Sequence, residues 1–143
     1  MSDINVYMEG LLEVLETGVD NLAAGSAILV GPDFAFDATD STTPTGQLTD
    51  AGYSAASVTF TASVDTSANY PRITLTVADF TFTGFDSTAD GVHGVVFLLS
   101  TGTPLAAYTA TASIQQFPMT ATVADPISID VGSQGLIRIS TSA

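Results

Sequence analysis

His93 is the only histidine in the chain, in the stretch Val92-His93-Gly94, and Ser and Asp are abundant enough to complete a Ser/His/Asp arrangement with it. No G-x-S-x-G turn or other nucleophile signature accompanies it, so the imidazole reads as a structural residue of a strand. Asp33, Asp37 and Asp40 cluster in a second stretch, and Asp86 and Asp90 bracket a third. Hard cations such as Ca²⁺ take several carboxylate or carbonyl oxygens at about 2.3–2.6 Å, which Asp-rich loops can supply. Neither stretch has the EF-hand spacing, and Asp also favours turns by bonding its own backbone. Both therefore read as turns, and no metal site is expected. A phosphate loop of the form G-x-x-x-x-G-K-[ST] cannot exist in a chain without lysine, and no G-x-G-x-x-G occurs. The chain has no cysteine, hence no disulfide framework and no thiolate-held metal. No catalytic residue and no cofactor is expected.

The charge balance narrows the partners. Fifteen acidic residues face only Arg72 and Arg138, a formal net charge of −13. Nucleic-acid binding needs Lys and Arg against phosphate, and an anionic membrane surface needs the same, so neither partner is expected. The longest apolar run, Val95 to Leu99, is far too short to span a bilayer. Residues 1–25 carry Asp and Glu without Lys or Arg and do not read as a signal peptide. Charged residues make up only 12% of the chain against 45% hydrophobic, so Ser and Thr must supply much of the polar surface. Thr suits the pleated face of a strand, and so apolar a chain leaves hydrophobic surface for partners.

A length of 143 residues suits one folding unit, and hydrophobic periodicity divides it in two. In residues 1–25, Ile4, Met8, Leu11, Leu12, Leu15, Val19 and Leu22 recur at steps of three and four, the stripe of an amphipathic helix. Ser2 can cap its start and Gly25 can end it in a left-handed turn. Gly10 and Gly18 weaken the interior by about 1 kcal/mol each relative to Ala, so tertiary contacts must support the helix. It covers one end of a sheet or reaches a neighbouring subunit.

Residues 26–143 read as short strands. These are AILV (27–30), SVTFTASV (57–64), RITLTV (72–77), FTFTGF (80–85), VHGVVFLLS (92–100), LAAYTATASI (105–114), MTATV (119–123), ISIDV (127–131) and LIRIS (136–140). Turn chemistry separates them, which predicts an antiparallel β-sandwich or jelly-roll-like domain preceded by one N-terminal α-helix. VHGVVFLLS is apolar throughout and should be covered on both faces. Residues 34–52 form a long Ser/Thr/Asp/Gly-rich connection, a length that usually marks function or mobility. One parity conflict stands out. Ile73, Leu75 and Val77 share a face, whereas Phe80 and Phe82 fall on the opposite one. A break at Ala78-Asp79 returns both rings to the same core and sends Asp79 to the rim. Without it, the two rings would lie at a subunit contact.

The order of these features resembles small virion structural proteins of tailed bacteriophages. The pattern comprises the short N-terminal helix, AILVGPDFAFD, a Ser/Thr-rich loop ending in Gly52-Tyr53, and A-D-F-T-F at 78–82. It continues with His93-Gly94-Val95-Val96-Phe97 and closes with I-x-I-D-V-G-S-x-G-L-I-R-I at 127–139. The resemblance covers most of residues 1–140. It implies a non-enzymatic protein that decorates and cements the head shell, on the capsid surface in preference to the tail. The expected partners are the major capsid protein or another virion protein, and further copies in a symmetric oligomer, with a trimer favoured. The alternatives are a small tail, neck or fibre component, or a carbohydrate- or receptor-binding module. Contact candidates are Ile4, Met8, Leu11, Leu12 and Leu15 on the helix, Phe34 and Phe36 in the long connection, and Phe80 and Phe82.

Overall fold

The run Val95–Leu99 is apolar at every position because the strand that holds it lies between two layers. In the computed structural model, which describes residues 3–31, 33–48, 54–66, 72–83, 94–109, 119–122, 127–131 and 135–140, every residue of that run is buried. Its strand is one of ten among the described residues. In chain order these are β1 (Asp3–Val6), β2 (Ala24–Val30), β3 (Ala56–Asp65), β4 (Arg72–Val77), β5 (Phe80–Phe82), β6 (Gly94–Leu98), β7 (Pro104–Thr109), β8 (Met119–Thr122), β9 (Ile127–Val131) and β10 (Ile137–Ser140). Helix α1 (Met8–Thr17) and a 3₁₀ turn (Val19–Asn21) join β1 to β2.

Seven strands form one sheet in the order β1-β7-β6-β2-β3-β4-β10, and three form a second in the order β5-β9-β8. The pairings are antiparallel. Side chains of both sheets meet in one core, in which Phe82 and Ile129 of the small sheet join Phe60, Leu75, Val77, Val95 and Phe97 of the large one. The Phe80 ring stands edge-on to Phe97 with centroids 5.8 Å apart. The protein is thus mainly β and antiparallel, with the two-layer character read from the sequence.

The chain breaks at Ala78-Asp79. β4 ends in the large sheet at Val77, Asp79 is exposed, and β5 starts in the small sheet at Phe80. The change of sheet resets the parity, so Val77 and Phe82 both turn inward. Phe82 is fully buried and cannot serve as a partner contact, while Phe80 is half-buried against the main core. The core thus takes the whole of the Phe82 ring and one side of Phe80.

The other face of β2 and β6 has its own cluster of Ile28, Val30, Val96 and Leu98, joined by Ala107 and Tyr7. Alternation along these strands sends successive side chains to opposite faces, so a chain apolar at every position needs cover on both. The cover comes from the connection after β2, where Phe34 and Phe36 pack against this cluster. The connection is closed at its base by Gly31 N–H donating to Gly46 O at 2.9 Å and by a bridge between Val30 and Gln47. Residues 34–48 thus form a strap closed at its base and packed through Phe34 and Phe36, while residues 49–52 lie outside the described residues.

The helix is shorter than the stripe predicted. Residues 3–6 are a strand, with Ile4 opposite Tyr108 and Val6 opposite Ala106 on β7. That pairing satisfies the backbone along the β7 edge, which a helix starting at Ser2 would leave open. The helix stops at Gly18, whose φ of 91° only glycine tolerates readily. Gly25 lies within β2, where any Cβ would collide with the Phe60 ring and the Leu98 carbonyl.

Candidate functional site

Helix α1 lies on β7 through Gly10 and Val14. A Cβ at Gly10 would strike the Pro104 carbonyl oxygen and come within 2.7 Å of Leu105 Cα, so glycine is what permits this close seat. Val14 adds to the main core from the same side. The Met8 N–H at the helix start donates to Ala38 O of the strap at 3.0 Å, and Tyr7 N–H donates to Leu105 O at 3.0 Å. Sheet and strap therefore fix the helix from two directions.

This seat decides which residues face out. Met8, Leu12 and Leu15 are 59%, 47% and 71% exposed. At 3.6 residues per turn they fall within an arc of about 60°, away from the Gly10 side. Three large apolar side chains in a row on a short helix are not the scattered singles of an ordinary surface. Leu11 is half-buried at the edge of the stripe. Glu9, Glu13 and Glu16 form a parallel row. They line, with Leu12, Ser41 and Thr103, a shallow groove of about 200 Å³. Thr101 Oγ1 donates to Glu13 Oε1 at 2.6 Å, which ties the acidic row to the β6–β7 turn.

The other candidates take different places. Ile4 sits in β1, in register with Tyr108. Phe34 and Phe36 are half-buried under the demands of the second cluster, and Phe36 meets the Tyr7 ring at 4.7 Å between centroids. The structure thus brings Met8, Leu12 and Leu15 together on one exposed face, while Phe34, Phe36 and Phe80 stand half-buried against the two clusters and Phe82 is inside. The acidic row and Gly10 were not among the candidates. Their signal is the recurrence of Glu at 9, 13 and 16, the helical spacing of the apolar stripe shifted by one residue.

Among the acidic residues of the strap, Asp37 is held in a local turn. Asp37 Oδ1 accepts from Thr39 Oγ1 at 2.6 Å and from Thr39 N–H at 2.9 Å. Those bonds, the hydroxyl first, hold its carboxyl below the ordinary range. The Tyr7 hydroxyl is buried with no hydrogen-bond partner among the described residues. Burial, then the nearby charges of Asp40 and Asp37, push its ionisation well above the usual phenol value. Among the described residues no group of three or more His, Asp or Glu side chains is placed to hold a metal ion, and no helix is long and apolar enough to cross a membrane. His93, Asp86 and Asp90 lie outside the described residues.

No family model, curated protein or solved structure matches the chain significantly.

Proposed function

We propose that the protein is a non-enzymatic structural component of a bacteriophage virion that decorates the head shell and stabilises it by binding only the assembled state. One observation carries this reading, the outward row of Met8, Leu12 and Leu15 on a helix seated rigidly against the sheet. A rigid two-layer β unit presenting one apolar helix face is suited to clamping a preformed surface, since little ordering entropy is lost on docking. The net charge of −13 adds like-charge repulsion between decorated particles. The pattern resemblance to small virion proteins supplies the setting, and a trimer is the oligomer we assign to it.

The test uses purified protein added to undecorated heads, with bound protein measured by sedimentation and electron microscopy. Wild type should bind heads and raise their melting temperature. The Leu12→Gln/Leu15→Gln variant should lose at least about tenfold in affinity with its own fold intact, because Gln is a good helix former at exposed positions. Binding to tails in place of heads would transfer the reading to a tail or neck component, and binding to neither would overturn it. Truncation of residues 1–24 is a poor substitute, since it removes β1, the buried Tyr7 and the core residue Leu22 along with the face.

A further inference from the structure

The groove beside α1 has an unbalanced lining. Glu9, Glu13 and Glu16 bring three carboxylates to the lining of one shallow space, and among the described residues no cationic side chain lines it. Like charges four residues apart on a helix destabilise it by a few tenths of a kcal/mol per pair. The last turn of α1 carries no basic residue to offset them. Alongside runs the exposed row of Met8, Leu12 and Leu15, which water solvates poorly. An occupant with apolar side chains on one edge and cations on the other would relieve both at once.

We propose that this face docks a basic amphipathic segment of a partner protein, its apolar side chains on Met8, Leu12 and Leu15 and its Lys or Arg side chains in the glutamate groove. Charge complementarity selects the occupant. A second copy of this chain brings a net charge of −13 and only Arg72 and Arg138 as cations, which lie in β4 and β10. Size points the same way. The apolar row offers a few hundred Å², while a stable protein–protein interface needs about 800 Å² from each partner. A short segment fits that area where a symmetric dimer does not. The inference deepens the assembly reading above by naming the partner's chemistry, and its test needs no virion.

The probe is a fluorescein-labelled helical peptide built from repeats of Leu-Lys-Lys-Leu-Leu-Lys-Leu, titrated with the full chain and read by anisotropy. Wild type should bind one peptide per chain. Leu12→Gln/Leu15→Gln, which leaves the charge unchanged, should weaken binding about tenfold. Glu9→Gln/Glu13→Gln/Glu16→Gln should weaken it about tenfold more than Asp20→Asn/Asp33→Asn/Asp79→Asn, which removes the same charge from exposed residues outside the groove. Circular dichroism on each variant, with Leu15→Ser alone as a milder change, keeps the result readable if one of them folds poorly. Equal effects of the two charge triples, or an unaffected Gln pair, would show diffuse attraction and overturn the proposal. Self-association abolished by the Gln pair would assign the face to a second copy and overturn it too. A chain that binds the peptide but not heads leaves this inference standing and sinks the head reading; the converse sinks this one.

Discussion

Tyr7 puts a hydroxyl where the fold has apolar work for the ring. Its side chain is wholly buried in the cluster beneath the strap, against Phe36, and its oxygen has no partner among the described residues. A buried unsatisfied hydroxyl costs about 1–3 kcal/mol, so Tyr7→Phe should stabilise the protein at neutral pH by about 1 kcal/mol in urea unfolding. The sign of the pH dependence follows from its raised ionisation. Below pH about 10 both folded and unfolded tyrosine are neutral; above it the unfolded phenol ionises first and stability falls as pH rises. Tyr7→Phe should remove that part of the alkaline loss, so the difference between the two curves should fall above pH about 10, and a flat difference would mean the hydroxyl is solvated. Asp37 gives the opposite case. Its lowered carboxyl contributes stability above the unfolded value of about 3.9 that is lost as pH falls through the folded one. Thr39→Ala should move the Asp37 carboxyl upward in an NMR titration, since the hydroxyl is the main cause of the lowering.

Elements here are fixed by what they must cover. Gly10→Ala should raise helix propensity by about 1 kcal/mol yet destabilise the protein by about 1–3 kcal/mol, because the added methyl meets the Pro104 carbonyl. Thermal melts decide it, and a gain in stability would mean that α1 lifts easily from β7. Phe34→Ala/Phe36→Ala should uncover Ile28, Val30, Val96 and Leu98 and raise binding of a hydrophobic dye, with α1 losing support at Ala38. These examples also show what the sequence makes legible. The two-sided cover of β6 follows from five apolar residues in succession, while parity leaves two readings for Phe80 and Phe82, a break at Ala78-Asp79 or a subunit contact, and the change of sheet selects the break. The limits of α1 were not legible. Ile4 satisfies a helical step and a strand position equally, and only the open edge of β7 decides between them. Nor does periodicity say which side of a stripe faces in. Met8, Leu12 and Leu15 share their stripe with the core residue Leu22, and only the seat of Gly10 on the sheet shows that those three face out. The strap carried its signal in Phe34-x-Phe36, two aromatics amid Thr and Asp, but the face they cover is assembled from distant strands.

Across the whole molecule, a core shared by the two sheets and one charge sign govern behaviour. Phe82 and Ile129 of the small sheet share their cluster with Phe60 and Phe97 of the large sheet, so neither layer has a separate interior. Phe82→Ala should therefore cost about 3–5 kcal/mol and lower a single transition seen alike by far-ultraviolet dichroism and tyrosine fluorescence. Two separated transitions would divide the sheets into independent units. Salt then separates folding from docking. With fifteen acidic residues against two arginines, the folded chain repels itself, and screening relieves that repulsion. Raising salt from low to physiological strength should raise the melting temperature of the isolated protein. The same screening should weaken a basic segment held at Glu9, Glu13 and Glu16, because attraction between opposite charges is what salt removes there. Opposite signs in the two measurements on one sample would tie the acidic surface to solubility and the groove to recognition. Parallel signs would mean that the apolar row of α1 alone holds its partner.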